Sequence, residues 1–358
     1  QKNKTETVDS TANVQAFQSK LSSLQSGGTA GGDMQIMAAA GILPAVYDWY
    51  VSTPGNANNA GTQSAPLRTI QAAINRSSAG QAIKVADGHY IECIIFGGKS
   101  IKLVGNPNSP RSVIIDGNSQ NATVRMVQQE SSATLLCGFT ITGGSGHLVY
   151  LQSGGGIHLY NNANPVLSDL IITGNQASNA AALGALHGSA PVVQNTLIYG
   201  NATLSAHYTV RFHNLVNGAA MYNVTIVDNA GALSTVAVTR GSHLTVKNSI
   251  IRNPSSTYEG FMTSDNGSVN TTTINCCNLR SGTSLLYVVT GQGTYNLGSG
   301  IIDVAPGFVA PAEGKYQLAT GSLCIDAGDP ASAWKDINFP PSRGTSRNDL
   351  GMYGWEVS

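Results

Sequence analysis

Along most of the chain, short β-branched runs alternate with clusters of Gly, Asn and Ser, and one such unit keeps returning. "SDLIITGNQ" at 168–176 has near-copies in "QNTLIYGNA" at 194–202, "YNVTIVDNA" at 222–230 and "KNSIIRNPS" at 247–255. The polar residue opening each copy is Asp169, Asn195, Asn223 and Asn248, at steps of 26, 28 and 25 residues. Gly138 in "CGFTITGGS" lies 31 residues before Asp169, and Asn275 in "INCCNL" lies 27 after Asn248. A second column, Asn175, Asn201, Asn229 and Asn253, closes the copies at steps of 26, 28 and 24. A period in the twenties marks a repeat architecture.

The units lack the several leucines and the helix of a leucine-rich repeat. Stretches such as "VTIV" and "SII" instead read as strands punctuated by turn residues. Such a unit accommodates three short strands and three turns, one coil of a parallel β-helix whose coils stack at about 4.8 Å. The sequence therefore predicts an all-β solenoid of roughly 8–9 coils over 83–325, a rod about 40 Å long. Asn tolerates the left-handed backbone of a tight turn, and stacked amides can hydrogen-bond along a column. Both Asn columns are thus read as structural ladders and not as a catalytic row.

A stack of coils has two raw edges that must be covered. "TIQAAINRSSAG" at 69–80 predicts a capping helix: Ile70, Ala73 and Ile74 share a face, Thr69 can cap, and Gly80 can end it. Residues 1–45 stand outside the repeat as an N-terminal extension, and 46–358 form the β-helix with its two caps. Within the extension, Val14, Phe17, Leu21 and Leu24 have helical spacing, followed by the Gly-rich link "SGGTAGGD" at 26–33. The stretch 34–47 then carries Met34, Ile36, Met37, Ile42, Leu43 and Val46, with no charge and no obvious place inside the coils. It is expected to dock on a neighbouring copy, with folding back as a cap on its own chain as the alternative.

The segment "YVSTPGNANNAGTQSAPLRTIQAAINRSSAGQAIKVADGHYIE" at 50–92 resembles the opening of right-handed parallel β-helix proteins of the pectate-lyase-like superfamily. "CIDAGDP" at 324–330 and "NDLGMYG" at 348–354 are similar to the closing segment of secreted members. The resemblance implies the fold over roughly 46–356. It implies no single activity, because the superfamily holds lyases, hydrolases, epimerases, adhesins and phage spikes.

Composition narrows the partners. Nineteen basic residues balance nineteen acidic ones, and charged residues make up only 11% of the 358. Such neutrality argues against nucleic acid or an anionic membrane, both of which call for a basic field. No run of 18 apolar residues occurs, so no membrane insertion is expected. The opening "QKNKTETVDST" looks like a mature terminus left after cleavage, and N-x-S/T triplets begin at Asn3, Asn121, Asn201, Asn223, Asn266 and Asn270. An extracellular or cell-surface location is the expectation. Cys93, Cys137, Cys276, Cys277 and Cys324 show no metal-type spacing and read as small buried hydrophobes.

Candidate chemistry lies on the strands "GIHLY" at 156–160, "GALHG" at 184–188, "VRFHN" at 210–214 and "VAVTR" at 236–240. With Ile157, Val210 and Phe212 inward, alternation turns His158, Tyr160, Arg211 and His213 outward, with His187 and Arg240 close by. This His, Tyr and Arg set suits proton transfer and carboxylate binding. No carboxylate pair recurs at coil spacing, which argues against a glycoside hydrolase. No cofactor is expected; Ca²⁺ is the one ion the chain could hold, on Asp326, Asp329 and Asp336, though a capping turn rich in Asp explains them better. The leading expectation is a structural, filament-forming β-helix that assembles with copies of itself through the extension. The alternative is a secreted polysaccharide lyase acting on an acidic glycan.

Overall fold

The computed structural model describes residues 43–147, 152–205, 207–214, 216–264, 266–331 and 343–352. Apolar side chains at alternate positions of each short strand drive the architecture, since one face of every strand must leave water. The strands stack in parallel into a fourteen-stranded sheet and an eight-stranded sheet. The smaller sheet supplies one strand per coil: Ile94–Ile95, Val124–Met126, Ile157–Leu159, Leu183–Leu186, Tyr208–His213, Ser234–Thr239, Tyr258–Thr263 and Leu286–Val288. The chain is a right-handed parallel β-helix of about eight coils, as the repeat predicts, with a first-to-last strand distance of about 34 Å at the usual spacing.

The larger sheet bends once per coil, at a single residue with left-handed backbone, and so forms two flanks. The bend residues are Gly138, Asp169, Asn195, Asn223, Asn248 and Cys276, with φ of 79°, 53°, 42°, 51°, 52° and 48°. The repeat placed Asn275 in this column. Lys247 pairs with Asn275, so the bend falls one residue later, on Cys276. At Gly138 a side chain is excluded for a second reason: an added Cβ would stand 2.6 Å from the backbone of Asn106 and Pro107.

The second Asn column is a buried amide ladder. Asn175 donates through Nδ2 to Asn201 Oδ1 (3.0 Å), and Asn201 does the same to Asn229 (2.9 Å). Each Oδ1 also accepts the backbone N–H of the preceding ladder residue, down to Asn229 N–H on Asn253 Oδ1 at 2.7 Å. Interior amides left unpaired would each cost about 1–3 kcal/mol, so the ladder must be complete at both ends. Gly144 N–H closes it at one end, and the Glu259 carboxylate accepts from Asn253 N–H at the other. Glu259 is 1% exposed and paired with Arg280 at 2.6 Å.

The predicted cap is a helix over Ile70–Arg76, with Thr69 accepting from Ala72 N–H and Ile70, Ala73 and Ile74 buried. It ends at Ser77, ahead of Gly80, because Ser77 turns to an extended backbone (φ −73°, ψ 153°) while its N–H makes the last helical bond, to Ala73 O. The Glu92 carboxylate accepts from the backbone N–H groups of Ile70 and Gln71, satisfying donors the helix cannot.

The first and last described segments lie along the flanks. Leu43 and Tyr47 pack on an outer patch of Val104, Leu135, Cys137 and Val166. The coils stop near Ile302, short of the expected 325. The chain then turns back as a hairpin of Phe308–Ala310 and Lys315–Leu318, followed by 343–352. Leu318, Cys324, Leu350 and Met352 cover the outward Ile171, Leu197, Val227 and Ile250. Asn223 donates through Nδ2 to Asn348 Oδ1 and to the carbonyls of Asp349 and Gly351. The closing segment is therefore a side cover, where an end cap was expected. All five cysteines are free, and only Cys93 is not buried. No helix among the described residues is long and apolar enough to cross a membrane.

Candidate functional site

One flank is covered by neither of these segments: the outer face of the eight-stranded sheet. Register places Arg125, His158, Gly184, Arg211, Ala237, Phe261 and Tyr287 in one row across its strands. A second row runs Leu186, His213, Thr239 and Thr263. Arg211 and His213 are thus outward neighbours on one strand, as alternation predicts.

Arg211 Nη2 donates to His213 Nδ1 at 3.0 Å, and Thr239 Oγ1 lies 2.8 Å from the same nitrogen. An arginine only donates, so Nδ1 accepts and Nε2 carries the imidazole proton. The guanidinium also lies 5.4 Å from the Tyr208 ring centre, a cation–π distance. His187 accepts from Asn214 Nδ2 at 2.9 Å, and its ring sits 4.7 Å from Tyr160 and 6.2 Å from His213. Burial, with Arg240 nearby, holds His187 below its ordinary pKa. Of the four sequence candidates, Tyr160, Arg211 and His213 come together at the surface.

His158 does not. It points away from the core, yet it is 0% exposed. The chain between strands folds over it, with the His147 ring stacked at 4.9 Å and the Ser153 carbonyl 3.0 Å from Nδ1. Gly184 makes room for that cover: an added Cβ would meet Ser153 Oγ at 2.8 Å. Burial, then His147, drives the His158 pKa down to about 3, so it stays neutral and supplies no proton at the surface.

Further along the same face, rings cluster that sequence reading overlooked. Tyr258 and Phe261 lie 4.8 Å and 5.5 Å from Tyr287, and Tyr208 lies 6.0 Å from Phe261. Their signal was present in the repeat, because each falls at an outward or edge position of a coil strand. The only acidic residue within the eight strands is Glu259, buried against Arg280. The strands of this face therefore offer guanidinium, imidazole and ring surfaces with no surface carboxylate of their own.

The Asp candidates sit elsewhere. Asp326 accepts from Thr345 N–H and Oγ1, and Asp329 pairs with Lys247 at 2.7 Å. Burial opposes ionisation of Asp329, but Lys247, the Ala331 N–H and Arg347 together outweigh it and lower the pKa. Asp336 lies outside the described residues, and among those described no three His, Cys, Asp or Glu side chains converge on a metal position. Of the assembly candidates, Met34, Ile36, Met37 and Ile42 lie outside the described residues. Leu43 is half-buried on this chain's own flank, and Val46 is 77% exposed.

The solved structure of a pectate lyase, Pel9A, is similar over 86% of this chain and 96% of its own, at 14% identity and a TM-score of 0.50. The two chains share the parallel β-helix fold. Carrot pectin methylesterase matches at 14% identity over 74% of this chain and 93% of its own, with a TM-score of 0.45. An Aspergillus niger pectin methylesterase matches at 15% identity, 74% and 91% coverage, and a TM-score of 0.44. Residues 53–95 match a family described as a protein of unknown function, DUF1565. No curated protein matches the sequence. At such identities the likeness speaks for the fold alone.

Proposed function

We propose that this chain is an extracellular carbohydrate-binding β-helix whose uncovered flank holds an acidic polysaccharide. One observation carries the reading. Leu43 and Tyr47 pack on one flank and Leu318, Cys324, Leu350 and Met352 on a second, whereas the third presents Arg211, His213, Tyr160 and a ring cluster with no surface carboxylate in its strands. Arg211, oriented by His213 and Tyr208, suits a two-point grip on a uronate carboxylate. Aromatic faces such as Tyr287 suit the apolar faces of sugar rings. The strands cross the face at about 4.8 Å intervals, so an extended chain laid along the solenoid axis meets a new strand at each step.

Cleavage by β-elimination is the second reading, favoured by the Arg211–His213 pair itself. It requires a base, and His213 Nδ1 already accepts from Arg211, which makes binding the better-supported outcome. Affinity electrophoresis in gels containing polygalacturonate, alginate or a neutral glucan separates the possibilities. Retardation by the acidic gels alone is expected, and it should be lost in Arg211→Ala. Equal mobility in all gels would refute the binding reading. New absorbance from unsaturated uronate products, abolished by Arg211→Ala, would convert the assignment to a lyase.

A further inference from the structure

The two ends of the solenoid are finished differently. At the start, the helix Ile70–Arg76 closes the mouth, and its Ile70, Ala73 and Ile74 are 0–1% exposed. At the far end, interior columns run out into solvent. Leu136, Leu167, Val193, Met221, Val246 and Ile274 follow one another in register at 0–3% exposure. Leu297 is next in that column, paired with Ile274, and is 47% exposed. Outside, the ring cluster ends at Tyr287, which is 41% exposed.

The strands of this last coil, Leu286–Val288 and Gly293–Leu297, are the terminal members of their sheets, and Ile302 bridges Asn278 on the third side. Among the described residues, no strand pairs beyond them. Exposed parallel edges of this kind template further pairing. From Ser281 to Ile302 the sequence contains no charged residue, so the usual protection by edge charges is missing.

We infer that the last coil, residues 286–302, is the docking surface for a second copy of this chain, joined end to end about a two-fold axis. The occupant follows from shape and charge. Edges in two sheets at once fit only a partner with the same two-sheet cross-section, which a second copy supplies. An uncharged surface can face itself without like-charge repulsion. A two-fold through the corner between the edge strands sets 286–288 of each copy against 293–297 of the other, antiparallel. Head-to-tail stacking is refused by the helix at the opposite mouth, so the assembly closes as a dimer and does not grow into a filament. This assembly uses the strand edges of the last coil and not the outward face bearing Arg211 and His213, and it rests neither on polysaccharide binding nor on residues 34–46; Tyr287 alone borders both surfaces.

Sedimentation velocity of the full chain tests it. Wild type is expected to sediment as a dimer that dissociates on dilution. Thr294→Lys combined with Leu297→Lys should give a monomer with an unchanged β signature in circular dichroism. Asn296→Lys, placed on an already exposed side chain, should weaken the dimer in the same direction and guards against misfolding of the double variant. Polysaccharide retardation, read on the monomeric variant, should persist. A wild type that stays monomeric at all concentrations, a dimer indifferent to all three lysines, or open-ended polymer would each overturn the inference.

Discussion

The flank bearing Ile171, Leu197 and Ile250 and the flank bearing Arg211, His213 and Phe261 are built from the same coils. The first is apolar outward and is covered by Leu318, Leu350 and Met352 of the closing segment. The second is cationic and aromatic outward, and around Arg211 and Phe261 the closing segment supplies no cover. A solenoid buries only its interior by stacking, so every outward apolar side chain needs a separate cover. Where the chain withholds that cover and installs Arg, His and rings, stability is not what the side chains serve.

The sharpest break of this contrast is Leu350→Asp. Leu350 is 0% exposed, and a carboxylate there would be buried without a partner. A loss of about 3–5 kcal/mol in urea unfolding is expected. Phe261→Ser on the bare flank should change stability far less, and equal losses would erase the distinction between the flanks.

Acid comes next. His158 has a folded pKa of about 3 against 6.5 when unfolded, so its contribution is complete above pH 6.5. As pH falls from 6.5 towards 3, the unfolded chain takes up a proton that the folded chain refuses. The stability lost is on the order of 4 kcal/mol by linkage. His158→Phe should flatten that limb of the pH–stability curve, and an unchanged slope would show that another group carries it.

Asn201→Ala should cost about 2–3 kcal/mol. It removes the acceptor for Asn175 N–H and Nδ2 and the donor to the Ile172 carbonyl, all buried. A midpoint shift in thermal unfolding reads it directly. A cost under about 0.5 kcal/mol would mean water replaces the ladder.

The smallest stability effect belongs to the candidate site. Arg211→Ala should move unfolding by less than about 1 kcal/mol, as half-exposed polar pairs do, while weakening acidic-polysaccharide binding at least tenfold. A large stability loss without a binding change would return Arg211 to a purely structural role.

Repetition made the fold legible. Asp169, Asn195, Asn223 and Asn248 recur because each coil needs one left-handed residue at the same corner, and few side chains tolerate it. The column failed only at its last member, where Cys276 takes the bend and adjacent polar residues gave no cue to the one-residue shift. The candidate site was legible in part. Alternation alone turned Arg211 and His213 outward, and it turned His158 outward as correctly. It could not say that His147 and Ser153 would close over His158, because that cover is a loop contact with no period.

What the sequence determined by itself was therefore the periodic part: coil length, strand stacking, the two Asn columns and the capping helix. These rest on local backbone preference and side-chain alternation, which are written in neighbouring residues. Tertiary structure alone decided which flank is bare and which coil edge is open. Those outcomes depend on where residues 43–47, 303–331 and 343–352 come to lie, and contacts such as Asn223 with Asn348 span 125 positions of chain. No short-range pattern encodes a contact of that span, so only the folded chain could show that Arg211 faces solvent while Ile250 does not.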